Sequence, residues 1–488
     1  AYVVLNLFIL LALLLSETDP RWRGVYVAGT LIVGAATFTS LTRAAWLGAV
    51  VGVVVFGALA AKLKARFTRT ELVIAGVLVV LVAGSAVLTL RTADMDSNVI
   101  QRVTSAFNPQ DKNTLGRTET WRIAAAAVGK RPVFGYGPDT FALAFRTNKT
   151  EQYAALVDPS IVQANAHSSL VQIAVERGIP GALLWLALLA ALGTVAVPRI
   201  LDGDERTAGA RIVQAGVFAS CAGFIVASLL TPSSQESSLL LWCLFAVLLS
   251  PLAQKRELHI NRAVFAVPAV IGVAMALIAS TWLFADTKAA IADDETVASP
   301  VRIAAAVTAT RLNPLSAEYA AVAAKAYAQA LLGDTSSDQA RAVQLFQQSA
   351  AQMRRSVALE PTDPHRASTL IGLLLIGGAK VDPALNKEAV NVGETTVAAS
   401  PNDLEASYWY ARALNADADD ALAIKTLERV VRIRPSFTDA VILLSDLYVK
   451  SDKAASAKEL LTRTIPLVED AAPLRSRLAE LDGAPSAP

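Results

Sequence analysis

The stretch HSSLVQIAVERGIPGALLWLALLAALGTVAV, His167–Val197, holds two kinds of chain. Up to Gly178 it carries polar and charged side chains. From Ile179 to Val197 it carries no charge at all. A helix needs about 20 apolar residues to cross a bilayer, because each residue rises about 1.5 Å and lipid offers the backbone no hydrogen-bond partner. The spacing predicts a membrane span entered from a polar loop.

The same reading applies on both sides of this stretch. Apolar runs at Ala1–Leu15, Val25–Thr39, Ala44–Ala61, Leu72–Leu90, Ile212–Leu230, Ser238–Ala253 and Val264–Phe284 bring the expected spans to eight. Composition agrees: 54% of residues are hydrophobic, 18% are charged and mean hydropathy is +0.45, where a soluble chain is about a quarter charged. The opening AYVVLNLFILLALLL has no basic residues ahead of its apolar core. It reads as a chain cut inside a membrane helix rather than as a signal peptide.

The net charge of +2 hides an asymmetry. Residues 1–285 hold 23 Lys and Arg against 16 Asp and Glu, and residues 286–488 hold 21 against 26. The basic excess lies in short loops: Arg21 and Arg23; Lys62, Lys64, Arg66 and Arg69; Arg199, Arg206 and Arg211; Lys255, Arg256 and Arg262. Eight spans put all four loops on one side, which the positive-inside rule makes the cytoplasm. The turn Ser40–Arg43, the long loop Arg91–Gly178, the turn Thr231–Ser237 and the C-terminal third are then expected outside. The basic residues form no patch of the kind that binds nucleic acid. Cys221 and Cys243 lie in apolar runs and read as small buried side chains. Neither a disulfide framework nor a metal cluster is indicated.

Two domains are expected: 1–285 in the membrane, and 286–488 as an extracytoplasmic repeat domain. A shift of 34 residues aligns Pro401 with Pro435, Ala406 with Ala440, Tyr410 with Leu444, Ala421 with Ala455, Ala423 with Ala457 and Leu427 with Leu461. This is the period of tetratricopeptide helical hairpins. Weaker echoes begin at Leu312–Pro314 and Leu359–Pro361. Within the long loop, Glu119–Val128 has helical character, and PVFGYGPDTF (Pro132–Phe141) reads as a turn leading into a helix.

Three residues stand out chemically. His167 is the only histidine expected on the outer face of the membrane domain, at the lip of the bilayer, where an imidazole can accept a proton near neutral pH. Arg43 sits between two spans, where charge is costly unless it is paired or lines a wet cavity. Arg117 precedes a predicted helix, and a guanidinium forks onto phosphate oxygens. Arg122 and Arg131 are further candidates for the same contact. Together they suggest two guanidiniums holding a diphosphate and one imidazole deprotonating a hydroxyl. Asp139 and Glu176 are the alternatives as base. Neither the paired carboxylates of a glycosidase nor a nucleotide-binding glycine loop is present.

These positions resemble the O-antigen ligase family. The resemblance rests on His167, Ser168, Gly178 and Gly181 as one motif, and on Ser40–Arg43 as Ser-x-x-Arg. Gly116, Arg117 and Trp121 match the start of that family's large loop, and Pro132, Gly135, Gly137 and Phe141 match its Pro-x-x-Gly-x-Gly-x-x-x-Phe. It covers roughly residues 25–250. It implies an all-α, polytopic membrane glycosyltransferase of the C type, metal-independent and without a cofactor. Such an enzyme moves a glycan from a polyprenyl diphosphate to an acceptor on the outer face of the inner membrane. It also implies catalytic roles for His167, Arg117 and Arg43, and substrate contacts for Arg122, Arg131, Ser168 and Trp121. The family usually has about four more helices in front, and the repeat tail is not part of its pattern. The acceptor is left as a glycan, a lipid or a protein, with a further protein partner expected at the repeats. Alternatives are a polysaccharide polymerase of the same family and a membrane-anchored scaffold whose enzyme half has decayed.

Overall fold

A computed structural model describes residues 2–39, 42–65, 112–157, 161, 163–202, 208–231, 235–250, 263–333 and 338–483. The described residues are helical, with no strand among them. They fall into two compact units, residues 1–144 with 163–257, and residues 145–162 with 258–488.

The first unit contains α1 (Tyr2–Ser16), α2 (Pro20–Thr39), α3 (Arg43–Lys62), α4 (Lys112–Lys130), α7 (Ser169–Asp202), α8 (Ala208–Ser228) and α9 (Gln235–Leu249). Two short helices, α5 (Phe141–Thr147) and α6 (Glu151–Leu156), lie between α4 and α7 in the chain. Lipid gives apolar helices little reason to associate, so packing depends on close approach between small residues. A Cβ on Gly48 would stand 2.4 Å from the Gly223 carbonyl oxygen, and one on Gly223 would stand 2.5 Å from that of Gly48. A Cβ on Gly52 would meet the Phe8 ring, and one on Gly216 would meet Ala12. Helices α1, α3 and α8 therefore cross backbone to backbone around Phe8, Phe224 and Cys221, all buried. Val50, Val53 and Val54 of α3 and Leu183, Leu184 and Leu188 of α7 point outward, as a lipid-facing surface requires.

Seven of the eight expected spans fall on described helices, and Leu72–Leu90 lies outside the described residues. Four described helices are long and apolar enough to cross a membrane: Ala44–Lys62, Ser169–Asp202, Ala208–Ser228 and Ala266–Asp293. Val3–Ser16 and Ser238–Leu249 are shorter apolar helices. The protein is a multi-pass membrane protein. Arg43, expected in a turn, is the first residue of α3. Cys221 is buried as expected, whereas Cys243 is exposed on α9.

The second unit begins with α10 (Ala263–Asp293) and continues through α11 (Ser299–Leu312), α12 (Ala317–Leu332), α13 (Gln339–Leu359), α14 (Pro364–Lys380) and α15 (Ala384–Ala399). It ends with α16 (Leu404–Ala416), α17 (Asp420–Ile433), α18 (Thr438–Lys450), α19 (Ala454–Thr464) and α20 (Ala472–Leu481). These stack as tetratricopeptide-like hairpins. Of the residues aligned by the repeat shift, Ala406, Ala440, Ala423, Ala457, Leu427 and Leu461 are each fully buried, whereas Pro401, Ala421 and Ala455 are exposed. The echoes at Pro314 and Pro361 mark the starts of further hairpins. Aspartates cap the helices, as Asp363 accepts from His365 N–H, Asp403 from Ala406 N–H and Asp419 from Leu422 N–H.

The expected boundary at 285/286 falls inside one continuous helix. No part of the apolar stretch of α10 is buried, yet Ala285, Ala289 and Ala292 are packed against the repeats. The Tyr319 hydroxyl donates to Asp286 at 2.6 Å, Lys325 pairs with Asp293 at 2.7 Å, and buried Arg302 donates from Nε to the Ala292 carbonyl at 2.9 Å. The span thus runs on as the first helix of the array.

The second difference is topological. The long loop, expected as a single element of the membrane domain, gives up residues 145–162 to the repeat unit. Buried Tyr153 packs edge-on against Phe145 at 4.8 Å, and Ala154 enters the same core as Leu404, Leu427 and Val430.

Candidate functional site

The site grows from the entry to α7. Ser168 stands just before the helix, its Oγ accepting from Val171 N–H at 3.4 Å. His167 precedes it with φ of +50°, a left-handed conformation uncommon outside glycine but tolerated by histidine more than by most residues. The Asn165 side chain holds it by accepting the His167 N–H at 3.1 Å. The peptide before it is gripped on both sides. Ala166 N–H donates to Gln172 Oε1 at 3.4 Å, and the Ala166 carbonyl accepts from Trp121 Nε1 at 2.9 Å. Gln172 in turn donates to buried Glu176 at 2.9 Å.

Trp121 lies on α4, one turn after Arg117, and residues four apart share a helix face. The tie from Trp121 to Ala166 therefore brings Arg117 toward His167. Burial and the positive charge of Arg117 pull the His167 imidazole below its usual value of 6.5. At neutral pH the imidazole is then unprotonated and able to take a proton. Arg117 is exposed, and among the described residues no carboxylate pairs with it. A guanidinium left open beside a neutral imidazole suits an anionic ligand.

The glycine motif has a structural reason that sequence reasoning missed. The turn Pro132–Gly137 lies against the kink in α7. Tyr136 N–H donates to Val175 O at 2.9 Å, Gly137 N–H to Glu176 O at 2.9 Å, and Ile179 N–H to Pro132 O at 2.8 Å. Gly178 breaks the helix with φ of +72°, and a Cβ there would sit 2.3 Å from the Val133 carbonyl oxygen. Gly135, at φ of +67°, would put a Cβ 2.4 Å from the Glu176 carbonyl carbon. Two spaced glycine motifs are thus the two halves of one backbone latch that fixes the kink in α7.

The other candidates are placed less openly. Arg122 pairs with Glu119, and Arg131 lies over the Tyr136 ring at 4.6 Å, so both already have partners. Ser168 is buried and serves the helix start. The backbone of Arg43 opens α3. Asp139 has φ of +59° in the turn before α5.

Residues 28–186 match the family model described as O-Antigen ligase. This segment spans α3, α4, the latch and His167, and over it the chain is similar to that family. No curated protein matches the chain. Among solved structures, MamA 41-end from Desulfovibrio magneticus RS-1 is 21% identical, over 35% of this chain and 85% of its own, with a TM-score of 0.28. A MamA protein is 15% identical over 39% and 90%, with a TM-score of 0.30. YrrB, a TPR protein with an unusual peptide-binding site, is 16% identical over 38% and 84%, with a TM-score of 0.29.

Proposed function

We propose that the protein transfers a glycan from a polyprenyl-diphosphate donor to a hydroxyl acceptor on the outer face of the cytoplasmic membrane. The observation that carries this reading is the tie between Trp121 and Ala166, which gathers Arg117 and His167 within the segment that matches the O-antigen ligase family.

In this scheme the His167 imidazole takes the proton of the acceptor hydroxyl. The acceptor oxygen bonds to the anomeric carbon as the bond from that carbon to the diphosphate breaks. The polyprenyl diphosphate leaves with its electron pair, and Arg117 stabilises the charge it gains. Arg43 is assigned a second contact to the diphosphate by its position in the family motif. Arg122, beside Glu119, and Arg131, over the Tyr136 ring, are assigned further substrate contacts by the same resemblance. In this reading the loop and repeats lie on the extracytoplasmic side of the membrane, following the basic residues of the short loops, and the repeats are expected to hold polypeptide.

The test compares polyprenyl-linked glycan in cells carrying full-length protein, His167→Ala protein or none. Build-up in the His167→Ala cells equal to that without the protein supports the scheme. Wild-type turnover by His167→Ala protein would remove the base from it.

A further inference from the structure

Ser168, Gln172 and Glu176 follow one another at intervals of four, from the residue before α7 into its second turn, so they share one face. Ser168 and Glu176 are buried and Gln172 is half-buried. Ser168 serves the helix start, which leaves two polar side chains of the first unit without a part in the transfer scheme. They are joined to each other and to the loop that carries His167. Gln172 Nε2 donates to Glu176 Oε1 at 2.9 Å, and Gln172 Oε1 accepts from the Ala166 N–H at 3.4 Å. An amide side chain has one donating and one accepting end. With the donating end taken by Glu176, the accepting end is the one presented to Ala166, and a flipped amide would set N–H against N–H. The Glu176 backbone is itself held, since its carbonyl accepts from Gly137 N–H at 2.9 Å in the latch.

The bond to the Ala166 N–H and the bond from Trp121 to the Ala166 carbonyl lie on the two peptide planes that flank one Cα. A peptide unit is rigid, so φ and ψ are the only soft angles between those planes. Holding both planes sets the direction in which the chain continues to His167. We propose that Gln172 and Glu176 are positioning residues for glycan transfer, Gln172 holding the peptide before His167 and Glu176 fixing which end of the Gln172 amide faces it. This inference rests on the transfer reading above, and it makes Glu176 an orienting group rather than a base.

The experiment follows consumption of polyprenyl-diphosphate-linked glycan by the full chain, in membrane vesicles from cells that supply the acceptor, with rates taken per folded protein. Glu176→Leu removes the orienting acceptor. Gln172→Glu removes the donor and sets two carboxylates face to face. Each is expected to lower kcat about tenfold, as displaced reacting groups do, with the KM for the linked glycan unchanged. Joining Gln172→Glu to Glu176→Gln exchanges the pair: a carboxylate at position 172 can accept both from Ala166 N–H and from an amide at position 176. The exchanged protein is expected to return to within about twofold of wild type, because the coupling of the pair is restored. An exchanged protein as slow as Glu176→Leu would make the Glu176 carboxyl itself necessary, as a base is, and would overturn the positioning role. A wild-type kcat in either single variant would overturn it too, whether the yield of folded protein or the KM changes or not. His167→Ala in the same assay separates the two readings. If it transfers at the wild-type rate, the transfer reading fails and positioning falls with it. If it is inactive while the pair variants are normal, only the positioning role falls.

Discussion

The indole N–H of Trp121 donates to the carbonyl of Ala166 at 2.9 Å across 45 residues of chain. Ala166 is fully buried, so that carbonyl has no water to turn to. The bond fixes the peptide that carries His167 to the helix that carries Arg117, and the position of the base follows from it.

Trp121→Phe keeps a ring and loses the donor. A buried carbonyl left unsatisfied costs about 1–3 kcal/mol, and misplaced reacting groups lose rate steeply. Transfer is expected to fall about tenfold to a hundredfold, with membrane insertion normal. Initial rates in membrane vesicles check this. An unchanged rate means the tie does not hold the site.

The latch predicts a sharp intolerance. Gly135→Ala and Gly178→Ala each add a Cβ inside the contact limit to backbone atoms at positive φ, and neither backbone can move without breaking the paired hydrogen bonds. Both proteins should lose several kcal/mol, about what severe mutations cost, and give little folded material in detergent. Gly129→Ala in α4 meets nothing within 4 Å and should be neutral or stabilising by up to about 1 kcal/mol. Thermal unfolding in detergent separates the cases.

The pH profile carries a sign. The His167 pKa lies below 6.5, so the neutral base persists into mildly acid solution and the acid limb of kcat/KM should fall below pH 6.5. Arg117→Met removes the smaller of the two depressing causes. The limb should move upward, toward 6.5, while burial keeps it from arriving there, and the overall rate should drop as well. A limb that stays put in Arg117→Met would show that the guanidinium does not face the imidazole.

In the repeats, Ala423 and Ala457 are fully buried at matching places. Ala423→Trp should overpack the core by about 1–3 kcal/mol, and Ala423→Gly should cost about 1 kcal/mol through helix propensity. Circular dichroism during denaturation measures both. Equal stability of Trp and wild type would mean the position is not in the core.

Helices and hairpins were legible because each repeats a local pattern: apolar runs of bilayer length, or small and large apolar residues returning every 34. His167 was legible in one motif and Arg117 with Trp121 in another, but the bond from the Trp121 indole to Ala166 that joins the two was not. The latch was hidden because Gly135 and Gly178 signal only permissive backbone until the two segments meet. The docking of residues 145–157 on the repeats was harder still. Arg146 and Lys149 are ordinary loop cations whose aspartates, Asp363 and Asp403, lie more than 200 residues away, and no period connects them. The boundary expected at 285 was drawn where hydropathy changes, whereas a helix backbone is indifferent to what its side chains face.

That indifference gives α10 a mechanical property. Beyond Pro268 it is one unbroken helix to Asp293, running from its lipid-facing length into the turns gripped by Tyr319, Lys325 and Arg302. Each residue of a helix advances the azimuth by about 100° and the height by about 1.5 Å. The phase of this helix therefore decides which of its residues meet the hairpins: deleting Thr287 would turn Ala285 and Asp286 by about 100° away from Tyr319 while Ala289 and Ala292 kept their seats.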